Sequence, residues 1–370
     1  MLALLLCVVL QESVVEAAPP AGVDTPKPGK LVATCEGNEV PVQVAGGKAV
    51  FLVGEKPGLH ILGPGTPKAF PRVEVADVDG KHLVVSYGGK KILRYNYGTI
   101  KPPEGVDPVF ERSGYIHPLW THSGKVLTND SPKNHLHHHG LWGAWTSSEF
   151  EGRKSNFWES IEKQGKIECV KVEETFSGPV FGGFRAKHRF LNLNGPDGPK
   201  AALEETWELR VYAISEHFVF DLVSTQTAAT DQPLVIRQYR YGGIGFRGSG
   251  DWEGKEGCAF LTSEGKTRID GHATRAKWCL MSGKVGGADG SIAFIGHPSD
   301  FRYPQPMRLH PDEPFFNWAV PQGGDFSIEP GKPYVARYRF VISDGVPARE
   351  AVEGGWKAYA EPPGVIVAWK

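Results

Sequence analysis

Histidine and tryptophan crowd one stretch of this chain. Residues 112–145 hold six of its 13 histidines (His117, His122, His135, His137, His138 and His139), with Trp120, Trp142 and Trp145 among them. Imidazoles titrate near neutral pH, ligate transition metals and move protons. Indoles offer flat apolar faces with a single N–H donor. A packed core needs little of that chemistry, so the stretch reads either as a polar-aromatic pocket for a hydroxylated ligand or as a metal site. As an extended segment, residues 134–140 turn His135, His137 and His139 one way and His138 the other. The first three are the candidate ligands for a divalent metal. Alternate positions stand about 7 Å apart, which suits two ligands to one ion better than three. No other cofactor is implied.

A second pair follows from alternation. Along residues 184–191, Phe184, Ala186, His188 and Phe190 share one face, with Arg185, Lys187 and Arg189 opposite. Along residues 203–211, Glu205 shares a face with Leu203, Trp207, Leu209 and Val211. An inward imidazole and an inward carboxylate are costly unless paired. They either neutralise each other or Arg237, or they line a cavity as acid and base. Residues 235–241 alternate Val235, Arg237, Tyr239 and Tyr241 against Ile236, Gln238 and Arg240, the pattern of a strand beside a polar cavity. Three prolines fall among residues 297–306, so His297, Arg302, Tyr303 and Arg308 are expected on or beside a fixed, irregular loop, as a binding wall or as surface charge.

The elements that must position these groups are strands. Short β-branched and aromatic runs recur at residues 49–53, 82–87, 91–95, 169–176, 183–193, 202–214, 217–225, 235–246, 291–296 and 334–343, separated by Gly-rich turns. One short helix is expected over residues 348–359. With 40% hydrophobic and 22% charged residues and 46 glycines, the chain reads as all-β, a large two-sheet sandwich with long loops. A formal net charge of −1 gives no reason to expect nucleic acid as a partner.

Residues 2–10 form an apolar run too short for a membrane span, followed by Val15-Glu16-Ala17. This is the pattern of a signal peptide cleaved after Ala17, which implies a periplasmic or extracellular protein. Residues 18–30, with four prolines, read as a linker, and residues 31–370 as one domain. Cys35, Cys169, Cys258 and Cys279 would remain after cleavage, as two disulfides (Cys258–Cys279 the most local) or as buried thiols.

Residues 112–119 (RSGYIHPL), the His-rich 134–140, 275–278 (RAKW) and 297–304 (HPSDFRYP) resemble the PmoA-like family of exported bacterial proteins. The resemblance runs over most of residues 90–345. That family carries a methane oxygenase label borrowed from a membrane subunit, whereas this chain has no membrane-spanning stretch. The resemblance implies a galactose mutarotase-like supersandwich, a fold whose members mostly act on carbohydrates. In mutarotases a histidine acid and a glutamate base flank the sugar ring. Asn317 or Gln322 stands near where that glutamate would fall, so the expected base is instead Glu205, chosen by its inward place in the alternation, with His138 or His188 as acid. Arg112, Arg237 and Arg275 would hold hydroxyls or a carboxylate, and Trp120, Trp142 or Trp145 would stack on the ring. His117, Asn134, His135, His137, Tyr239, Trp278, His297, Arg308 and Asn317 complete the expected contacts. The expected activity is epimerisation, elimination or hydrolysis of a sugar derivative. A metal-dependent enzyme and a non-catalytic glycan-binding module are the alternatives.

Overall fold

The computed structural model describes residues 12–54 and 58–370. Two eight-stranded antiparallel sheets face each other. In chain order their strands are β1 (Val73–Val78), β2 (His82–Tyr87), β3 (Lys90–Asn96), β4 (Tyr115–Leu119), β5 (Leu141–Ala144), β6 (Gly165–Phe176), β7 (Phe181–Asn192), β8 (Lys200–Tyr212), β9 (Phe218–Ala228), β10 (Gly243–Arg247), β11 (Cys258–Thr262), β12 (Trp278–Val285), β13 (Ala288–Gly296), β14 (Met307–Leu309), β15 (Phe315–Trp318) and β16 (Tyr334–Asp344). The first sheet runs β14-β15-β10-β5-β4-β3-β2-β1, and the second β6-β7-β8-β9-β16-β13-β12-β11. The expected all-β sandwich is therefore the fold.

Between the sheets lies one large apolar cluster. Leu93, Ile116, Leu141, Phe246 and Phe316 from the first sheet meet Phe184, Trp207, Leu209, Phe294 and Phe340 from the second. Because neighbours on a strand point to opposite faces, Trp142 and Phe315 must point out of the far side of the first sheet. There they form a second cluster with Trp158 from the connection before β6. That far side carries the pocket described below. Helix α1 (Arg349–Ala360) begins one residue later than expected and packs Val352 and Trp356 against Trp278 and Leu280 of β12 and Ile295 of β13. Among the described residues no helix is long and apolar enough to cross a membrane.

Alternation along β7 and β8 is as the sequence implies, with His188 and Glu205 on the buried face. They stand directly opposite each other in register. The same cross-strand row continues through Cys169 on β6, Gln226 on β9 and Tyr334 on β16. Two expectations fail. Residues 235–246 are not one strand: Leu234–Ile236 pairs in a small four-stranded sheet, and an irregular turn separates it from β10. Residues 134–140 are not extended either. Pro132 cannot donate to a ladder, and two turns follow, with the His135 amide bonded to the Pro132 carbonyl and the His138 amide to the His135 carbonyl.

Residues 13–17, which fall inside the segment expected to be cleaved, form a strand paired with Lys48–Val53; residues 1–11 lie outside the described residues. Cys35, Cys169, Cys258 and Cys279 are free thiols. Cys279 pairs with Thr262 and Cys258 with Gly283. A four-residue offset is roughly 13 Å along a strand, beyond disulfide reach.

Candidate functional site

The two turns at residues 132–138 set the site. They place His135 three positions before His138, so that the rings stack at 4.6 Å, a contact that strand alternation would forbid. His138 is in turn stacked on Phe315 at 4.8 Å and lies 5.1 Å from Trp142. Gly140 ends the segment at φ +53°, and a Cβ there would sit 2.2 Å from the Ile116 carbonyl oxygen, so only glycine lets the chain enter β5 at this angle.

Four separate segments close a cleft of about 130 Å³ around these rings: His135, His137 and His138; Trp158 and Glu159; Arg240 and Tyr241; Arg308, His310 and Phe315. His137 Nδ1 is 3.2 Å from Glu159 Oε2, and the Tyr241 hydroxyl donates to Glu159 Oε1 at 2.9 Å. Burial pushes Glu159 up, and burial with the neighbouring cationic groups pushes His137 down to about 3. Both effects favour the uncharged forms, so the contact is better described as an oriented imidazole–carboxyl pair than as an ion pair. Burial likewise lowers His310 to about 4 and His138 far below the usual imidazole range.

Glu313 behaves oppositely. Burial opposes its ionisation, but His135 and Arg247 beside it hold it down to about 2. Asn134 Nδ2 donates to its Oε1 at 3.0 Å, and Arg247, fully buried on β10, bonds its Oε2. Arg247 also bonds Glu253 and the Asn134 side-chain oxygen, which divides its charge between two carboxylates. Across the cleft, burial and the charge of Arg240 lower Arg308, whose Nη1 lies 3.3 Å from His272 Nε2. Arg240 and Arg308 thus bring two guanidiniums to one cleft, the donor chemistry that suits an oxyanion. Charge is arranged differently in a larger cleft of about 540 Å³, lined by Glu16, Lys48, Glu174, Arg185, Glu208 and Arg210, whose charges pair with one another.

Of the residues expected from sequence, His135, His137, His138 and Arg308 line this cleft, with Asn134 and Trp142 immediately behind them. The proposed metal trio does not form. His139 turns away to Asp130 Oδ1 at 2.8 Å, His137 is taken by Glu159, and His135 is left beside His138 and Glu313.

His188 and Glu205 require a correction, because they face no cavity. Both are 1% exposed in their side chains and bonded to each other at 2.9 Å. Tyr95 and His188 Nε2 are 2.6 Å apart, Ser224 and Gln226 donate to Glu205 Oε1, and Trp145 Nε1 donates to Gln226. A base with both carboxylate oxygens hydrogen-bonded and only 1% of its side chain exposed is closed to a substrate proton. The pair is a structural bridge between the sheets.

Other expected contacts also prove structural. Arg112 is buried and donates to the Gly143 carbonyl. Arg237 is exposed and held by Glu149 and Asp325. Arg275 braces the carbonyls of Arg302 and Pro304, and Trp278 donates to Glu353. Asn317 ties the Gly242 amide to the Ile244 carbonyl, and His117 bonds Thr128. Trp120 lies under Lys91, His297 against Tyr359, and Tyr239 lines a neighbouring groove with Thr146 and Glu149. Sequence reasoning missed Trp158, Glu159, Arg240 as a cleft residue, Tyr241, Arg247, His310 and Glu313. His310 had a signal in its i, i+2 spacing from Arg308, and Arg240 and Tyr241 lay in the segment whose pattern pointed to a polar cavity.

The model of a family of unknown function (DUF6807) matches residues 82–357, a span that contains every cleft residue. The chain belongs to that family. The match carries no activity for DUF6807 proteins, and the likeness to PmoA-like proteins remains one of motifs. No curated protein matches the chain. Among solved structures, a heparan sulfate lyase mutant from Pedobacter heparinus aligns with 77% of this chain and 38% of its own, at 9% identity and a TM-score of 0.34. A galactose mutarotase related enzyme from Lactobacillus acidophilus aligns with 75% of this chain and 100% of its own, at 9% identity and a TM-score of 0.32. The chain thus spans well under half of the lyase. Similarity this low adds no argument about activity, which must come from the cleft itself.

Proposed function

We propose that this DUF6807 protein binds a small sugar derivative bearing a carboxylate or similar oxyanion and acts on it by acid–base chemistry. One observation carries the reading: the His137–Glu159 pair faces Arg240 and Arg308 across one cleft. Glu159, steadied by Tyr241, stands beside His137 Nδ1 and leaves Nε2 as the edge available to a ligand. Arg308 and Arg240 would hold the anion and stabilise the negative charge that develops as the adjacent carbon gives its proton to His137 Nε2. Trp158, Tyr241 and Phe315 offer apolar walls to the C–H face of a ring. This arrangement favours epimerisation or elimination next to a carboxylate over hydrolysis. The cleft of about 130 Å³ falls below the ~300 Å³ of typical drug-sized sites, which supports a single ring and not a long glycan. Export through the apolar N-terminal run belongs to the same proposal and rests on sequence alone.

A thermal-shift panel of neutral sugars, uronates and keto-sugars tests it. The expected result is stabilisation by an acidic sugar that is lost in Arg308→Gln, since a ligand of the native state raises the melting temperature. Stabilisation by neutral sugars only, by nothing in the panel, or equally in Arg308→Gln would remove the proposal.

A further inference from the structure

We infer that His135, His138 and Glu313 form a binding site for one first-row divalent metal ion such as zinc or manganese. One ligand atom from each lies within 4.8 Å of the others. With bonds of ~2.0–2.1 Å, two ligand atoms on one tetrahedral zinc stand about 3.3 Å apart. His135 Nδ1 and Glu313 Oε2 are already 3.1 Å apart. They touch as an imidazole–carboxylate contact, yet no hydrogen bond satisfies His135 Nδ1, which is buried. His138 Nδ1 is also buried without a partner, on a side chain that is 4% exposed.

Two orphaned imidazole nitrogens beside a carboxylate are an expensive arrangement for a purely structural cluster. They are an ordinary one for a metal site with two nitrogen ligands, one oxygen ligand and open positions. The supporting contacts fit as well. Asn134 and Arg247 fix the Glu313 carboxylate, and Phe315 fixes the His138 ring, as metal ligands are commonly oriented from behind. Arg247 does not repel the ion with its full charge, because Glu253 shares it. The open positions would face the cleft that Arg308 and His137 line. The site stands whether or not the ligand of that cleft is a sugar.

The test is calorimetric titration of the full chain, made without a polyhistidine tag and stripped with chelator, using zinc or manganese alone. The expected result is one ion per chain, with binding weakened more than about tenfold in His135→Gln and unchanged in His297→Gln. Long-range proton–nitrogen spectra of the unmodified protein give an answer independent of any variant's folding: zinc should shift the ring nitrogens of two histidines. Absence of binding, binding unchanged in His135→Gln, or zinc shifts at fewer than two histidines overturns the inference.

Discussion

His188–Glu205 and His135–His138–Glu313 combine the same two residue types in opposite ways. In the first group the carboxylate and imidazole are bonded to each other and to tyrosine, serine and glutamine, and the network ends at an indole. In the second, two buried ring nitrogens make no hydrogen bond and a cleft opens beside them. A polar network that is fully satisfied rigidifies a core, whereas one left partly open is where a ligand can be received. Residue identity does not separate the two groups; the remaining hydrogen-bonding capacity does.

The largest way to break this contrast is Glu205→Ala. It strands an imidazole between the sheets, and removing one partner of a buried charged pair costs about 3–5 kcal/mol. Denaturant unfolding should show that loss; a loss below about 1 kcal/mol would mean that the bridge is not structural. Stability should next depend on pH through the same pair. Burial opposes the charge on His188, but its bonds to Glu205 and Cys169 hold it up to about 9. Burial likewise opposes ionisation of Glu205, yet His188 and then Ser224 and Gln226 lower it. The folded protein therefore holds more protons than the unfolded chain between ~6.5 and about 9, so stability falls as pH rises through that window. The Glu205 contribution is complete above its unfolded value and is lost on acidification. Unfolding curves at pH 6 and pH 9 should show the alkaline loss, and a rise in stability across that interval would contradict it. The smallest effect belongs to the open group's neighbour. His137→Gln should change stability by less than about 1 kcal/mol while abolishing turnover of any ligand found by the thermal-shift panel. Full turnover in that variant would return His137 to a passive role.

The sheets were legible because alternation and turn chemistry act locally. The strand runs at 82–87, 183–193 and 334–343 and the helix at 348–359 were readable from period alone, and so was the inward aim of His188 and Glu205. What alternation cannot give is whether an inward group is sealed or reachable, since that depends on Tyr95, Ser224, Gln226 and Trp145, brought in by other strands. The His-rich segment misled for a different reason. Three of its histidines do gather at one cleft, but Pro132 turns the chain, and a turn exchanges the neighbours that a strand would provide. Glu159 and Glu313 had no local signal, because each becomes a cleft residue only through contacts with a distant histidine.

The cleft's four segments, from His135 to Phe315, have a consequence for how the molecule is made. Their contacts span nearly half the chain, and such long-range pairings form late because loop closure must precede them. A nascent chain that has folded β4 and β5 still lacks Arg308, His310 and Glu313. Those residues join the histidines only when the last strands of the first sheet arrive, so the cleft is complete only after most of the chain has folded.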